Sequence, residues 1–272
     1  MSNTRKLQVG AVRYLNTKPL VYGLAGDSSD FDLLFDLPSR LADRLASGDL
    51  DVALIPTIEA FQNPDYTIIS DACIACRGPV WSVKLFSRVP LDRIRTLALD
   101  EGSRTSVALI RILLGERFGI EPTLQPLPIG ETTTYTNADA ILLIGDRAIH
   151  PPAEKFAAVW DLGDQWCRWA ELPFVFAMWT ARPGVDVGSL GETLAAARDA
   201  GLANLEAIAG AEAAGVGLTT DECLHYFRDN LHFTLGQRER QGLELFQTLS
   251  IQRGLAPNNS SLRFASCLEK ST

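Results

Sequence analysis

The sequence of 272 residues is poor in several features that mark secreted and membrane proteins. Its five cysteines are odd in number and irregular in spacing, a pattern that does not form a disulfide framework. No apolar run reaches the roughly 18 residues that a membrane-spanning helix requires, and the first residues lack the apolar stretch of a secretory signal. We therefore expect a reduced, cytoplasmic protein with no membrane partner.

Basic residues are also scarce. Lysine and arginine number 25 against 33 aspartate and glutamate residues, which gives a formal net charge of −8. Sequence-blind binding to nucleic acid requires clustered basic side chains, so we expect no nucleic-acid partner. An anionic ligand would have to be attracted by groups local to its site. With 46% hydrophobic and 21% charged residues, the chain has the composition of a globular protein with a sizeable core.

Residues that would carry metal or nucleophilic chemistry are few. The three histidines, His150, His225 and His232, have no accompanying G-x-S-x-G motif, so we interpret them as structural or surface residues. Cys73 and Cys76 have the C-x-x-C spacing, but a zinc site needs four ligands and no second pair follows at a suitable distance. Both lie in an apolar, strand-like stretch and are interpreted as packing residues. We expect no metal site.

The first part of the chain alternates between strand-like and helix-like patterns. Short apolar runs predict strands at Leu7–Val12, Phe31–Phe35 and Asp51–Ile55. A helix is predicted after the first strand, and a second begins at Pro38 and ends at Gly48. This βαβαβ order is the unit that builds parallel sheets.

A second unit of the same kind follows. The segment DAILLIG (Asp139–Gly145) resembles DVALIP (Asp51–Pro56), which suggests one structural position present in two lobes. The elements predicted for this unit are the strands Thr96–Leu99, Thr123–Leu127 and Ala140–Ile144 and the helix Ser103–Phe118.

Two further strand-like runs, Val80–Ser87 and Pro173–Thr180, lie between and after these units. We interpret them as leading into hinges near Phe86–Val89 and Glu171–Phe174, with a ligand cleft between the two lobes. The predicted fold is α/β, with residues 1–87 and 174–272 in the first lobe and residues 88–173 in the second. The C-terminal part is predicted to be helical, with capping boxes at Ser189–Glu192 and Thr219–Glu222, an amphipathic stripe from Leu190 to Ile208, and a last helix ending at Gly254.

Two segments between a strand and a helix are the strongest candidates for a binding site. In Asp100–Ser106 (DEGSRTS), backbone N–H groups, three hydroxyl side chains and Arg104 would bind an anion at a helix N-terminus. A simple helix cap remains an equal alternative there. Arg13–Pro19 occupies the corresponding place in the first lobe, and Ser82 would lie near both. This layout suits a dicarboxylate held between two helix N-termini.

Gly145 and Asp146 end a strand at the cleft position of the second lobe. Asp146 would either hold a ligand hydroxyl or cap the helix that follows, and the sequence leaves both open.

Several longer motifs resemble the chorismate dehydratase family of the futalosine route to menaquinone. The likeness extends over nearly the whole chain, and RYLNTKPL and DEGSRTS are its specific parts. The matching segments are GAVRYLNTKPL (Gly10–Leu20), GDLDVALIPTIEA (Gly48–Ala60), GPVWSVKLFS (Gly78–Ser87), LDEGSRTSVALIRILL (Leu99–Leu114), ADAILLIGDRA (Ala138–Ala148), ELPFVFAMWTAR (Glu171–Arg182) and GLELFQTLSIQRGL (Gly242–Leu255).

The resemblance implies a type II periplasmic-binding-protein fold and a carbon–oxygen lyase that removes water from chorismate, a dicarboxylate, without cofactor or metal. The product would be 3-[(1-carboxyvinyl)oxy]benzoate. By similarity, Asn16 and Ser82 are the catalytic candidates at the reacting ring. The substrate-binding candidates are Arg13, Ser103, Arg104, Thr105, Ser106, Gly145 and Asp146.

Three alternative functions share this architecture. They are the 1,4-dihydroxy-6-naphthoate synthase of the same pathway, a non-catalytic binding protein for small anions, and a ligand-sensing regulatory domain. The binding protein would carry an export signal and the regulatory domain a DNA-binding element, and the sequence shows neither. The RYLNTKPL and DEGSRTS segments favour the dehydratase over all three.

Overall fold

The computed structural model describes residues 5–24, 30–150 and 152–269, and its strands form two separate sheets flanked by helices. The strands are β1 (Leu7–Val12), β2 (Phe31–Asp36), β3 (Val52–Pro56), β4 (Thr67–Cys76), β5 (Val83–Ser87), β6 (Thr96–Asp100), β7 (Thr123–Leu127), β8 (Ala140–Ile144), β9 (Ala158–Asp161), β10 (Phe174–Ala181) and β11 (His232–Thr234).

The α-helices are α1 (Pro38–Ser47), α2 (Thr57–Ala60), α3 (Thr105–Phe118), α4 (Asp146–Ile149), α5 (Leu162–Ala170), α6 (Leu190–Ala203), α7 (Leu205–Glu212), α8 (Thr220–His225), α9 (Gln237–Gln252) and α10 (Ser266–Glu269). Short 3₁₀ helices span Leu15–Val21, Leu91–Arg93, Thr133–Tyr135 and Ala213–Val216, and a π-helical turn spans Tyr226–Asn230.

Five strands of the first sheet are arranged as the five strands of the second. The first sheet runs β11-β4-β10-β3-β1-β2, and the second, written in the corresponding direction, runs β9-β5-β8-β6-β7. In each, the first strand of a parallel trio lies between the other two, as β1 does between β2 and β3 and β6 does between β7 and β8. An antiparallel strand then adds beside the third, β10 on β3 and β5 on β8. The predicted two-lobed α/β architecture is confirmed, and β3 and β8 occupy equivalent positions.

The place where the chain first crosses between sheets differs from the prediction. Val83–Ser87 was assigned to the first lobe with a hinge near Phe86–Val89, but all five of its residues pair with β8 in the second sheet. The chain therefore crosses within residues 77–82, and we propose the lobe boundary there. An apolar run predicts a strand but carries no information about which sheet receives it. The return crossing, at residues 171–173 ahead of β10, lies where the sequence predicted a hinge.

Some local predictions also differ. The segment after β1 forms a 3₁₀ helix with Pro19 inside it, rather than an α-helix. The stripe from Leu190 to Ile208 is divided into α6 and α7 at Asn204, and Ser189 makes no side-chain cap. The capping box at Thr219 and Glu222 is confirmed, since the Glu222 N–H donates to the Thr219 hydroxyl at 3.2 Å.

Most buried apolar side chains belong to one core that continues from the first sheet into the second. Cys73 and Cys76 are fully buried within it on β4, which confirms the packing interpretation. In the described part of the chain, no helix has the length and apolar character to cross a membrane.

Close packing of α6 on the 3₁₀ helix gives a test of the fold. A Cβ at Gly201 would overlap the backbone carbonyl oxygen of Pro19. We expect Gly201→Ala to lower the free energy of unfolding by about 1–3 kcal/mol, because overpacking forces backbone shifts. Gly210 of α7 has open space around its Cβ position, so Gly210→Ala is the matched control and should stabilise by roughly 0.5–1 kcal/mol. Urea denaturation measures both, and equal effects would contradict the packing described.

Candidate functional site

A cavity that is partly open to solvent lies between the two sheets, with about 520 Å³ of space free of protein atoms, solvent-exposed space included. It is lined at the carboxyl ends of β1, β3 and β8 and by the loop that follows β6. Parallel strands present their carboxyl ends at one edge of a sheet, and here both sheets direct that edge to the shared cleft. Of the predicted site residues, Asn16, Ser82, Gly145 and the four residues 103–106 line the cavity.

The second lobe contributes the N-terminus of α3. The Asp100 carboxylate accepts the Gly102 N–H at 3.0 Å, and the Asp100 carbonyl accepts the Ser103 N–H at 2.9 Å, so the loop turns tightly into the helix. The capping position is occupied by Arg104, which makes no side-chain cap. The serines at 103 and 106 therefore do not serve as the helix cap, and both residues line the cavity at the first turn of α3.

Arg104 and Thr105 contact the opposite lobe. The Arg104 guanidinium pairs with Asp43 at 2.7 Å and with Glu59 at 3.1 Å, both in the first lobe. The Thr105 hydroxyl oxygen accepts the Ile58 N–H at 3.2 Å. Arg104 and Thr105, which the sequence predicted to bind the ligand, thus connect the two lobes beside the cavity. The positive charge of Arg104 is already balanced by the carboxylates of Asp43 and Glu59.

The first lobe contributes Tyr14 and Asn16 from the segment that follows β1. Asn16 is partly exposed, and its side-chain oxygen accepts the Thr17 hydroxyl at 3.3 Å. Burial, together with the nearby Asp100 and Asp146 carboxylates, raises the pKa of Tyr14 to about 12. Tyr14 therefore stays a neutral phenol, able to donate a hydrogen bond, across the physiological range. Tyr14 lies within the predicted segment Arg13–Pro19 but was not among the predicted site residues, although an aromatic residue between polar ones at a strand end was the available signal.

Gly145 of the second lobe packs against Tyr14 of the first lobe. Its φ is +62°, a left-handed value that favours glycine. A Cβ there would lie 3.0 Å from three carbons of the Tyr14 ring. The absence of a side chain at Gly145 therefore makes room for Tyr14 to cover this side of the cavity.

Arg13 and Asp146 lie outside the cavity wall. The Arg13 side chain is exposed, and the Asp146 carboxylate accepts the Leu15 N–H at 3.3 Å across the cleft. Burial raises the pKa of Asp146 above its usual value, although this N–H opposes the shift. Asp146 makes no cap on α4, so its observed contact is neither of the two anticipated from sequence.

The histidines are away from the cavity. His150 Nε2 lies 2.7 Å from the Val216 carbonyl oxygen, and His225 pairs with Asp229 at 2.6 Å on the surface. His232 lies 3.6 Å from the buried Glu239. The described part of the chain contains no cluster of three or more side chains suited to a metal ion.

Ser82 completes the site from the crossing segment between the lobes. It is buried, its hydroxyl donates to the Val80 carbonyl over a long 3.4 Å, and it also shares a hydrogen bond with the Tyr226 side chain. The residue before it, Trp81, has a φ of +64°. Neutral polar side chains, one helix N-terminus and apolar walls from both lobes therefore line a cavity that is partly open to solvent, an arrangement suited to a compact, partly apolar anion.

A family model described as menaquinone biosynthesis matches residues 7–251. The chain belongs to this menaquinone biosynthesis family. A relative in it, the chorismate dehydratase of Thermus thermophilus, is 32% identical over 260 residues, covering 89% of this chain and 94% of that protein. The family resemblance read from the sequence motifs is confirmed.

Solved structures similar to this family member share its fold at low sequence identity. Protein AF1704 from Archaeoglobus fulgidus has a TM-score of 0.71 and 15% identity, with 93% of this chain and 99% of that one covered. A Candida albicans protein described as having the generic periplasmic binding protein fold has a TM-score of 0.54 and 12% identity, with 97% and 99% covered. The fold is therefore that of the two-lobed periplasmic binding proteins, as the resemblance implied.

Contact between Gly145 and Tyr14 predicts how closure of the cleft depends on one residue. In Gly145→Ala, the new methyl group would press on the Tyr14 ring, so we expect the lobes to separate and the radius of gyration measured by X-ray scattering to increase. Gly130 also has a positive φ, +91°, but its Cβ position is open, so Gly130→Ala controls for backbone strain alone. An unchanged radius in Gly145→Ala, with both variants folded, would contradict the prediction.

Proposed function

We propose that this protein is a chorismate dehydratase, a carbon–oxygen lyase that acts in the cytoplasm and converts chorismate into 3-[(1-carboxyvinyl)oxy]benzoate and water. The observation that carries the proposal is the likeness to the Thermus enzyme of that name, which extends along 89% of the chain. The match to the family model, over residues 7–251, includes the residues that line the cavity. The reaction removes the C3 proton and the C4 hydroxyl of the ring, and the resulting aromaticity drives it forward.

The residues that line the cavity suit a dicarboxylate with an apolar ring. The N-terminus of α3, a helix of 14 residues, would bind one carboxylate through its free N–H groups and the hydroxyls of Ser103 and Ser106. Apolar side chains such as Ile74 and Phe176 would pack on the ring. Since Arg104 already pairs with two carboxylates, recognition of the substrate's charge depends mainly on these neutral donors.

Elimination also requires a proton acceptor and help for the departing hydroxide. None of the described side chains that line the cavity belongs to aspartate, glutamate or histidine. We therefore propose that the substrate's own side-chain carboxylate takes the C3 proton, while Asn16 and Ser82 stabilise charge at the reacting ring. The neutral Tyr14 hydroxyl, which also borders the cavity, is available to donate a hydrogen bond to a substrate oxygen. The reaction is redox-neutral and needs no electron carrier.

Incubation of the purified protein with chorismate alone tests the activity. We expect the aromatic product to accumulate, detected by chromatography and mass spectrometry, and heat-denatured protein serves as the control. Folded protein that leaves chorismate unchanged would contradict the proposal. Binding without conversion in the same experiment would favour the non-catalytic anion-binding alternative.

Variants of the cavity serines separate binding from chemistry. A hydrogen bond to a charged group is worth roughly 1.5–3 kcal/mol, so Ser106→Ala should raise KM about 10- to 100-fold with little change in kcat. Ser82→Ala and Asn16→Ala should instead lower kcat by about 100-fold while chorismate still binds, because their contacts strengthen as charge develops.

The matched control for Ser82→Ala is Ser87→Ala, which alters the other end of β5, where the hydroxyl donates to the Val89 carbonyl at 2.7 Å. Its kcat should equal that of the wild type. The assignment of roles fails if Ser82→Ala and Asn16→Ala both keep wild-type kcat while folding normally.

A further inference from the structure

Ser82 is placed by an unusual turn of the main chain. The Ser82 N–H donates to the Val80 carbonyl at 2.7 Å, and Trp81 between them has a φ of +64°. A hydrogen bond across one residue with positive φ is the pattern of a γ-turn. Bulky side chains rarely adopt this region, so such a turn persists only where neighbouring groups hold it.

One carboxylate holds this turn. Asp161, the last residue of β9, accepts the Val80 N–H on Oδ1 at 2.9 Å and the Trp81 N–H on Oδ2 at 2.6 Å. Oδ1 also accepts the Asp164 N–H at 3.1 Å and so caps α5. Both oxygens are thus used, and one side chain fixes the turn to the start of a helix by charge-assisted hydrogen bonds.

The other contacts of Trp81 involve its ring rather than its main chain. The ring packs edge-on against Tyr226, with centroids 5.6 Å apart, and the Lys84 ammonium lies 5.9 Å from the ring centroid. Lys84 is also the β-sheet partner of Asp161. These contacts orient the indole, but the N–H groups of Val80 and Trp81 depend on Asp161.

We propose that Asp161 is a positioning residue for Ser82, which it holds at the cavity wall by fixing the γ-turn at Trp81. The inference rests on the proposed function, in which Ser82 contacts the reacting ring. The Ser82 hydroxyl contacts the Val80 carbonyl at 3.4 Å and hydrogen-bonds with the Tyr226 side chain, and both contacts require the turn to place the Ser82 main chain correctly. Release of the turn would therefore displace the hydroxyl while leaving the carboxylate-binding end of the cavity, at α3, unchanged.

Asp161→Asn tests this with a small change. The asparagine oxygen can replace Oδ1, which keeps the bonds to Val80 and Asp164, whereas its NH₂ group would face the Trp81 N–H, a donor against a donor. We expect kcat to fall by about 100-fold, the effect of a misplacement of roughly 1 Å, with KM changed by less than about threefold. Asp161→Ser keeps a helix cap but cannot reach the turn, and it gives the same test if the asparagine variant does not fold.

Asp164→Asn is the matched control. It removes a negative charge from the same first turn of α5, where Asp164 pairs with Arg168 at 2.7 Å and its side chain holds no atom of the γ-turn. Its kcat should stay near that of the wild type. A similar loss in both variants would show a general effect of charge and overturn the proposal.

A double variant tests whether Asp161 acts through Ser82. In a Ser82→Ala background, Asp161→Asn should lower kcat no further, since the group that it positions is absent. A full additional loss there, or wild-type kcat in Asp161→Asn alone, overturns the inference and leaves the proposed function intact. A wild-type protein that does not convert chorismate contradicts the proposed function instead.

Discussion

Antiparallel hydrogen bonding of β10 with β3, and of β5 with β8, is the constraint on which the rest of the structure depends. Each of these strands enters its sheet from the chain segment that belongs to the other lobe, so the two sheets are connected twice. Their carboxyl ends are thereby held opposite each other, and each lobe supplies only part of a binding surface. The cavity exists because both crossings are in place.

The candidate site contains side chains with two different tasks. Ser103 and Ser106, at the first turn of α3, line the cavity. Arg104, Thr105 and Asp146, which the sequence analysis grouped with them, instead make contacts with the opposite lobe. Some polar residues of the cavity wall thus also make contacts between the lobes, and the distances in the structure distinguish them from those that make none.

Much of the fold followed from local pattern. The bounds of β7 and β8 agree with the predicted strands, and the likeness of DVALIP and DAILLIG identified two equivalent strands. Hydrophobic periodicity and helix-capping residues are local properties of a sequence, so they predict strands and helices before the packing partner of each element is known.

The parts that were missed depend on partners distant in sequence. The sheet that receives β5 is decided by residues 140–144 and 158–161, and the turn at Trp81 is decided by Asp161, about eighty positions later. Tyr14 is a candidate site residue because its ring packs over Gly145, which is about 130 positions away in the sequence. No periodicity encodes such pairings, so the structure was needed to find them.

The interrupted course of the first lobe has a consequence for the order in which the protein is built. All strands of the second sheet lie within residues 83–161, a single continuous stretch, whereas the first sheet must wait for β10 and β11, up to residue 234. During synthesis, the second lobe can complete its sheet while β3 and β4 still lack β10, the strand that lies between them. Pairing of β10 with β3 and β4 requires contacts between segments about a hundred residues apart or more, and contacts so distant in sequence form slowly during folding. Until β10 arrives, the nascent chain exposes two apolar strand edges in the half of the molecule made first.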